Sequence, residues 1–312
     1  MQVTVVGAGI AGVACARALA TAGVTVSVLE RAHVCGGRMA TKRYEGRPAD
    51  IGAGYFTVSD ARFAAVVDGW RAAGLAREWT DTFAVYSPAG RDVAAGPMRW
   101  AAPGGLRSLV ERLADGLDVR TRHLVEWIEP GPRVDGVAAD AVVLAMPGAQ
   151  VARHVDPRLR ATRNAAQAQE WLPSLAATLR YAERGWDFRG AFVNDHPVLT
   201  TLFDDGSRRG DGAPVLVAHT TADFAGQFVA DTVAAAEEIE SAVRELLELP
   251  EPAERVDVQR WTFARPGRPG DTPFHFGPER IGIAGDAWGT PKIETAWLSG
   301  TLLAEAIVAE LG

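Results

Sequence analysis

The chain has 312 residues, 47% hydrophobic and 23% charged, which is an ordinary globular composition with enough length to bury a sizeable core in one large domain or two smaller ones. A net charge of -7 and a pI near 5.5 argue against nucleic acid or an anionic membrane as partner. Two cysteines, Cys15 and Cys35, exclude a disulfide framework and suit a reducing cytoplasm, and the histidines at 33, 123, 154, 196, 219 and 275 show no metal-ligand spacing, so no metal is expected.

Residues 1–22 are small and apolar, but they lack a basic start and their glycines fall at structural spacing, so the segment reads as fold and not as a signal peptide. No other stretch is apolar enough to cross a bilayer. Residues 2–6 read as a strand, 10–22 as a helix of small residues and 24–29 as a second, parallel strand, which implies a doubly wound α/β domain. Residues 31–57 follow as a long irregular loop with glycines at 36, 37, 46, 52 and 54, and a loop of that length inside a compact domain is usually functional.

Helices are expected over 60–73 and 105–114, and strands over 117–128 and 141–145. From 151 to 276, alternation at 175–181, 215–219 and 255–263 indicates an antiparallel sheet, with 234–249 as its one clear helix and 267–273 as a linker. A strand at 281–284 and a helix at 293–311 finish the chain; there is no internal repeat. The expected architecture is a Rossmann-like domain assembled from 1–57, 100–152 and 277–312, with a mainly antiparallel-sheet substrate domain, 58–99 and 153–276, inserted into it.

Gly7-Ala8-Gly9-Ile10-Ala11-Gly12 is a G-x-G-x-x-G directly after a strand and at the start of a helix, with Glu30 at the tip of the next strand. Gly7 makes the tight turn, Gly9 lets the backbone approach a pyrophosphate, Gly12 permits close helix packing, and the helix N-terminus attracts the anion. Glu30 is placed to accept hydrogen bonds from ribose hydroxyls, and its charge disfavours a 2′-phosphate, so NADP is not expected in this site. Gly36-Gly37-Arg38-Met39 offers further amides and a guanidinium to a pyrophosphate, and Asp50-Ile51-Gly52-Ala53-Gly54-Tyr55-Phe56 adds a glycine-rich approach with aromatics; this second cradle favours FAD over NAD. Gly285-Asp286-Ala287 supplies a turn whose Asp286 can bind the ribityl or pyrophosphate region, with Thr290 expected as N-cap and Pro291 as first residue of the last helix. The positive end of that helix would then stabilise an anionic reduced flavin.

These segments, with Arg-Trp at 260 and 261 and Ile-Glu-Thr-Ala-Trp-Leu-Ser-Gly at 293 to 300, resemble the bacterial renalase-like proteins of the flavin amine oxidase superfamily. The resemblance implies a p-hydroxybenzoate-hydroxylase-like fold with non-covalent FAD, and hydride transfer from a small substrate such as a dihydronicotinamide isomer to flavin N5, with molecular oxygen as electron acceptor. It also implies cofactor contacts from Ile10, Ala11, Arg31, Val125, Ile293, Glu294 and Ala296, and a substrate pocket lined by Tyr55, Trp261 and Trp288. The chain departs from the family pattern at Gly54, where Gln is usual, and at Gln259, where His often precedes Arg-Trp.

A standard amine oxidase typically places a lysine near flavin N5 from the strand-rich middle of the chain, whereas the only lysines here are Lys42 and Lys292. A desaturase or other oxidase of a secondary metabolite, and a catalytically silent FAD-binding protein, remain as alternatives. No second G-x-G-x-x-G follows Glu30, so a nicotinamide would enter only as substrate.

Overall fold

The computed structural model describes residues 1–228 and 230–312. Its first sheet has six strands in the spatial order His275–Phe276, Ile281–Ile283, Ala141–Leu144, Gln2–Val6, Thr25–Leu29 and Asp118–Arg120, all parallel except the first. Val3 and Val5 are fully buried at its centre, as expected of a parallel strand covered on both faces. One face is covered by the helices Ile10–Thr21, Ala61–Ala72, Arg107–Ala114 and Ile293–Leu311. The other carries the helices Gly148–His154 and Arg160–Gln167 and a three-stranded sheet of short strands around Ile128 and Val134.

The first and last helices touch along their length, because Gly300 lies against the Ala11 carbonyl where any side chain would collide. That contact brings the carboxy-terminal helix to the opening glycine turn.

The second sheet has seven strands in the order Arg255–Pro266, Trp171–Arg180, Val215–Thr220, Leu199–Asp204, Gly190–Val193, Arg77–Ser87 and Gly90–Ala101. Its pairings are antiparallel apart from Gly190–Val193 with Arg77–Ser87. Leu175, Ala177, Leu179, Leu202, Leu216 and Ala218 face the helices Ala222–Phe228 and Thr232–Leu246. Alternation therefore turns Ala176, Thr201, Phe203, Val217 and His219 to the opposite side.

Several expectations are corrected. The 31–57 loop contains a hairpin, Thr41–Tyr44 with Arg47–Asp50, closed by Glu45 and Gly46 at φ 52 and 87. Two successive positive φ values make a primed turn, and glutamate in its first position hides the usual Asn-Gly signal. Only Asp118–Arg120 and Ile128–Glu129 of 117–128 are strands. The region 151–276 holds further helices, too short and polar for helical periodicity to show. The segment 58–99 is divided: Phe63, Val67 and Trp70 sit in the first core and only the long hairpin after them joins the second sheet. Residues 148–167 likewise pack on the first sheet.

Candidate active site

Gly7 leaves its strand with φ 105, and a β-carbon there would stand 2.6 Å from the Ala145 carbonyl oxygen, so only glycine makes this turn. The helix that follows opens at Gly9 with no side-chain cap and no acidic residue in its first turn, which leaves its leading amides available to an anion. Gly9 faces Gly37, whose β-carbon would come within 3.2 Å of the Gly9 Cα. The Gly36 amide donates to the Ala8 carbonyl at 2.9 Å, so the two glycine segments form one continuous surface. Glu30, 9% exposed, accepts from the Ala8 and Ala32 amides at 2.8 Å each, which fixes its carboxylate at the strand tip with lone pairs to spare.

Arg38 and Asp286, 248 residues apart, form a bidentate pair at 2.6 and 2.8 Å, and the Arg38 guanidinium lies 4.9 Å from the centre of the Trp171 ring. Two residues expected to meet the cofactor are thus brought to one point from opposite ends of the chain. The Ala53 amide donates to the Arg38 carbonyl at 2.9 Å, and Gly52 packs so tightly on that carbonyl that no side chain fits. At the other end, the Gly285 amide donates to Ser299 Oγ at 3.0 Å, and nothing lies within 4 Å of where a Gly285 β-carbon would project.

The last helix begins at Ile293 with Lys292 as an N-cap that makes no side-chain bond, so the expected cap at Thr290 with Pro291 inside the helix is corrected. The Thr290 carbonyl instead accepts from Thr295 Oγ1. Glu294, 4% exposed, accepts from Ser59 and Asp60, so its side chain anchors the start of the Ala61–Ala72 helix. Ile293 and Ala296 are buried in the first core beside Met39, Val125 is buried on the opposite face, and Arg31 is exposed.

Loop 50–55 lies on the free face of the second sheet. Trp261 Nε1 donates to the Ile51 carbonyl at 2.6 Å and Arg208 Nη1 to the Gly54 carbonyl at 2.8 Å. The Tyr55 ring meets Phe83 and Phe203 edge-on at 5.4 and 6.0 Å, and Phe203 meets His219 edge-on at 5.3 Å. Register places Gln259, Ala176, His219, Thr201 and Phe192 in one row across five strands. Burial, and then the Arg208 charge, push the His219 pKa down to about 4, so its imidazole is neutral at pH 7.

A buried ion cluster braces this arrangement. Asp205 pairs with Arg208, Arg209 and Arg47, and Arg209 also reaches Asp50, which accepts from Thr41 Oγ1 and the Leu106 amide. Arg47 also pairs with the more exposed Asp211 at 2.7 Å, so three guanidiniums face three carboxylates.

Tyr55, Trp261 and Trp288 do not share one cluster. Tyr55 packs with Trp79, Phe83 and Phe203, Trp261 with Tyr44, Ala49 and Ile51, and Trp288 stacks on His275 beside Ile283, Val125 and Leu144. Sequence reasoning missed Phe203, His219, Arg99 and Arg208, and named Asp50 only as part of the glycine-rich segment. The only signal was strand alternation at 215–219, which says that Val217 and His219 share a face but not which one. Lys42 and Lys292 are both exposed, and Lys42 Nζ lies over the Tyr44 ring at 5.1 Å. Burial and the Glu30 and Glu111 carboxylates push the Cys35 thiol up, which favours a packed thiol over a reactive one.

The uncapped helix, the side-chain-free surface formed by Gly9 and Gly37 and the strand-tip carboxylate fit an adenine dinucleotide, and the Gly285 turn leaves room for its extension. Among the described residues no helix is long and apolar enough to cross a membrane.

Residues 5–70 match the family model of the NAD(P)-binding Rossmann-like domain. Among solved structures, the chain is similar to cyclohexylamine oxidase from Brevibacterium oxydans IH-35A, with 14% identity, 99% of each chain covered and a TM-score of 0.77. It is also similar to putrescine oxidase bound to putrescine (18% identity, 99% of each chain, TM-score 0.71) and to an oxidoreductase from Methanosarcina mazei (15%, 98% of this chain and 100% of that one, TM-score 0.72). At these identities the likeness establishes the fold. Residues 67–308 match the model for the flavin containing amine oxidoreductases, and the chain therefore belongs to that family of FAD-dependent oxidoreductases.

Proposed function

We propose that this oxidoreductase takes a hydride from a small cyclic organic donor of the dihydronicotinamide type, in the manner of the renalase-like proteins, with molecular oxygen as the final acceptor. The observation that carries this reading is the chemistry of the sheet face over loop 50–55. It presents aromatic rings and one imidazole, while both of the chain's lysines are exposed at the surface. An imidazole titrating near 4 is a weak base at pH 7, so the wall is suited to orienting a ring and poorly suited to removing a proton from an ammonium.

Bound FAD supplies the two-electron acceptor: the donor loses a hydride, and oxygen takes that electron pair with the hydride's proton and one proton from solvent, leaving as hydrogen peroxide. The protein's share is geometric. Tyr55 is held by Phe83 and Phe203, and its loop is tied down by Trp261 at Ile51 and by Arg208 at Gly54. Such fixed placement lowers the entropic cost of bringing donor and acceptor carbons together.

Anaerobic mixing of the FAD-loaded protein with dihydronicotinamide isomers, putrescine and cyclohexylamine, with flavin bleaching followed by absorbance, tests the proposal. Fast bleaching by a dihydronicotinamide and none by the amines is expected. Bleaching by an amine alone would replace this reading with an amine oxidase.

A further inference from the structure

Arg99 is 5% exposed, yet among the described residues no carboxylate lies within 4 Å of it. Its Nη1 donates to the Asp81 carbonyl at 2.8 Å, and its Nε is buried without a partner. The guanidinium stacks 4.0 Å from the centre of the Phe83 ring, with Tyr55 and Phe192 at 5.5 and 5.7 Å. A buried charge without a counter-ion costs free energy that packing alone does not return. The other buried cations of this region, Arg208 and Arg209, are matched by Asp205 and Asp50, so the charge of Arg99 is the one left over.

Phe83 is almost wholly buried, whereas Tyr55, Phe192 and His219 keep part of their surface open, so the aromatic wall beside Arg99 is in part accessible. An aromatic wall open on both sides attracts an ammonium through its ring faces. Here a guanidinium already packs on the rings, and a second cation at their accessible surface would be repelled through a poorly screening interior. The neutral His219 beside these rings adds no negative charge to offset it.

We infer that Arg99 is a specificity-determining residue, which sets the aromatic wall of Tyr55 and Phe192 to accept an anionic group of the substrate, a carboxylate or phosphate, and to reject an ammonium. The inference rests on the proposed placement of the substrate against this sheet face, and adds the charge of the group that docks there. Arg99 acts across the rings and touches no reacting atom.

The test is a titration of the FAD-loaded protein at pH 7.5 with benzoate, benzyl alcohol and benzylamine, rings of one size with negative, no and positive charge, read from the flavin absorbance. Benzoate is expected to bind about tenfold or more tightly than benzylammonium, with benzyl alcohol between them. Arg99→Met, which keeps much of the packing on Phe83, is expected to bring the three affinities together, and Arg99→Lys to restore the order. Equal or tighter binding of benzylammonium, no benzoate-induced spectral change, or an unchanged ratio in Arg99→Met would each overturn the inference. If Arg99→Met loses its flavin, the native ratio and Arg99→Lys decide. Benzoate preference without bleaching by dihydronicotinamides would refute the proposed reaction and leave this inference standing.

Discussion

The Phe203 ring lies directly on the backbone of Gly54, its Cε2 2.5 Å from where a β-carbon at 54 would stand. The ring is itself confined by Tyr55, Phe83 and His219 and backed by Arg208, so it has nowhere to retreat. Gly54→Ala should therefore cost about 1–3 kcal/mol by overpacking. Urea denaturation checks this, and Phe203→Leu in the same chain should recover part of the loss. An additive double variant would show that the two residues are not in contact.

Glu30→Ala removes the acceptor of the Ala8 and Ala32 amides and the proposed ribose acceptor together. A loss of about 1–3 kcal/mol is expected from the buried Ala8 donor, with FAD affinity falling about tenfold or more. Flavin fluorescence in the filtrate after ultrafiltration measures the second effect. Retention of FAD at native affinity would count against the strand-tip carboxylate as a cofactor ligand.

Arg209→Met leaves the Asp50 and Asp205 carboxylates short of a partner inside the protein, where breaking a buried pair costs about 3–5 kcal/mol. The Arg112–Asp115 pair is exposed on both sides, and Arg112→Met should change stability by no more than about 1 kcal/mol. Comparing the two urea midpoints separates burial from ion pairing as such.

The imidazole of His219 titrates near 4 in the folded chain against an ordinary value of 6.5. Below pH 6.5 the unfolded chain takes up this proton before the folded one does, so stability falls as pH drops from 6.5 towards 4, and the loss stops once both states are protonated. His219→Asn should flatten that part of the thermal midpoint against pH and leave the profile above 6.5 unchanged. Superimposable acid limbs in the two proteins would refute a buried neutral histidine.

The opening βαβ unit was legible because its signals are local: Gly7, Gly12 and Glu30 act through their own strand ends and helix start. The carboxy-terminal helix was legible from its periodicity, but not its cap, since Thr290 and Pro291 imitate a start that the chain delays to Ile293. The hairpin after Met39 was not legible, because Glu45 adopts a positive φ that its side chain does not advertise. The three aromatic pocket candidates were chosen for chemistry alone, and the fold distributes them among three clusters.

What the sequence determined by itself is the dinucleotide cradle, since a turn, a helix amide and a strand-tip carboxylate need only neighbours along the chain. What the tertiary structure alone decided is which face of the second sheet meets loop 50–55. Two-residue alternation separates the sides of a strand without saying which will meet loop 50–55. The contact of Phe203 with Gly54, the meeting of Arg38 with Asp286 and the stacking of Arg99 beside Tyr55 arise only when distant segments pack, and it is that packing which sets the electrostatics of this face.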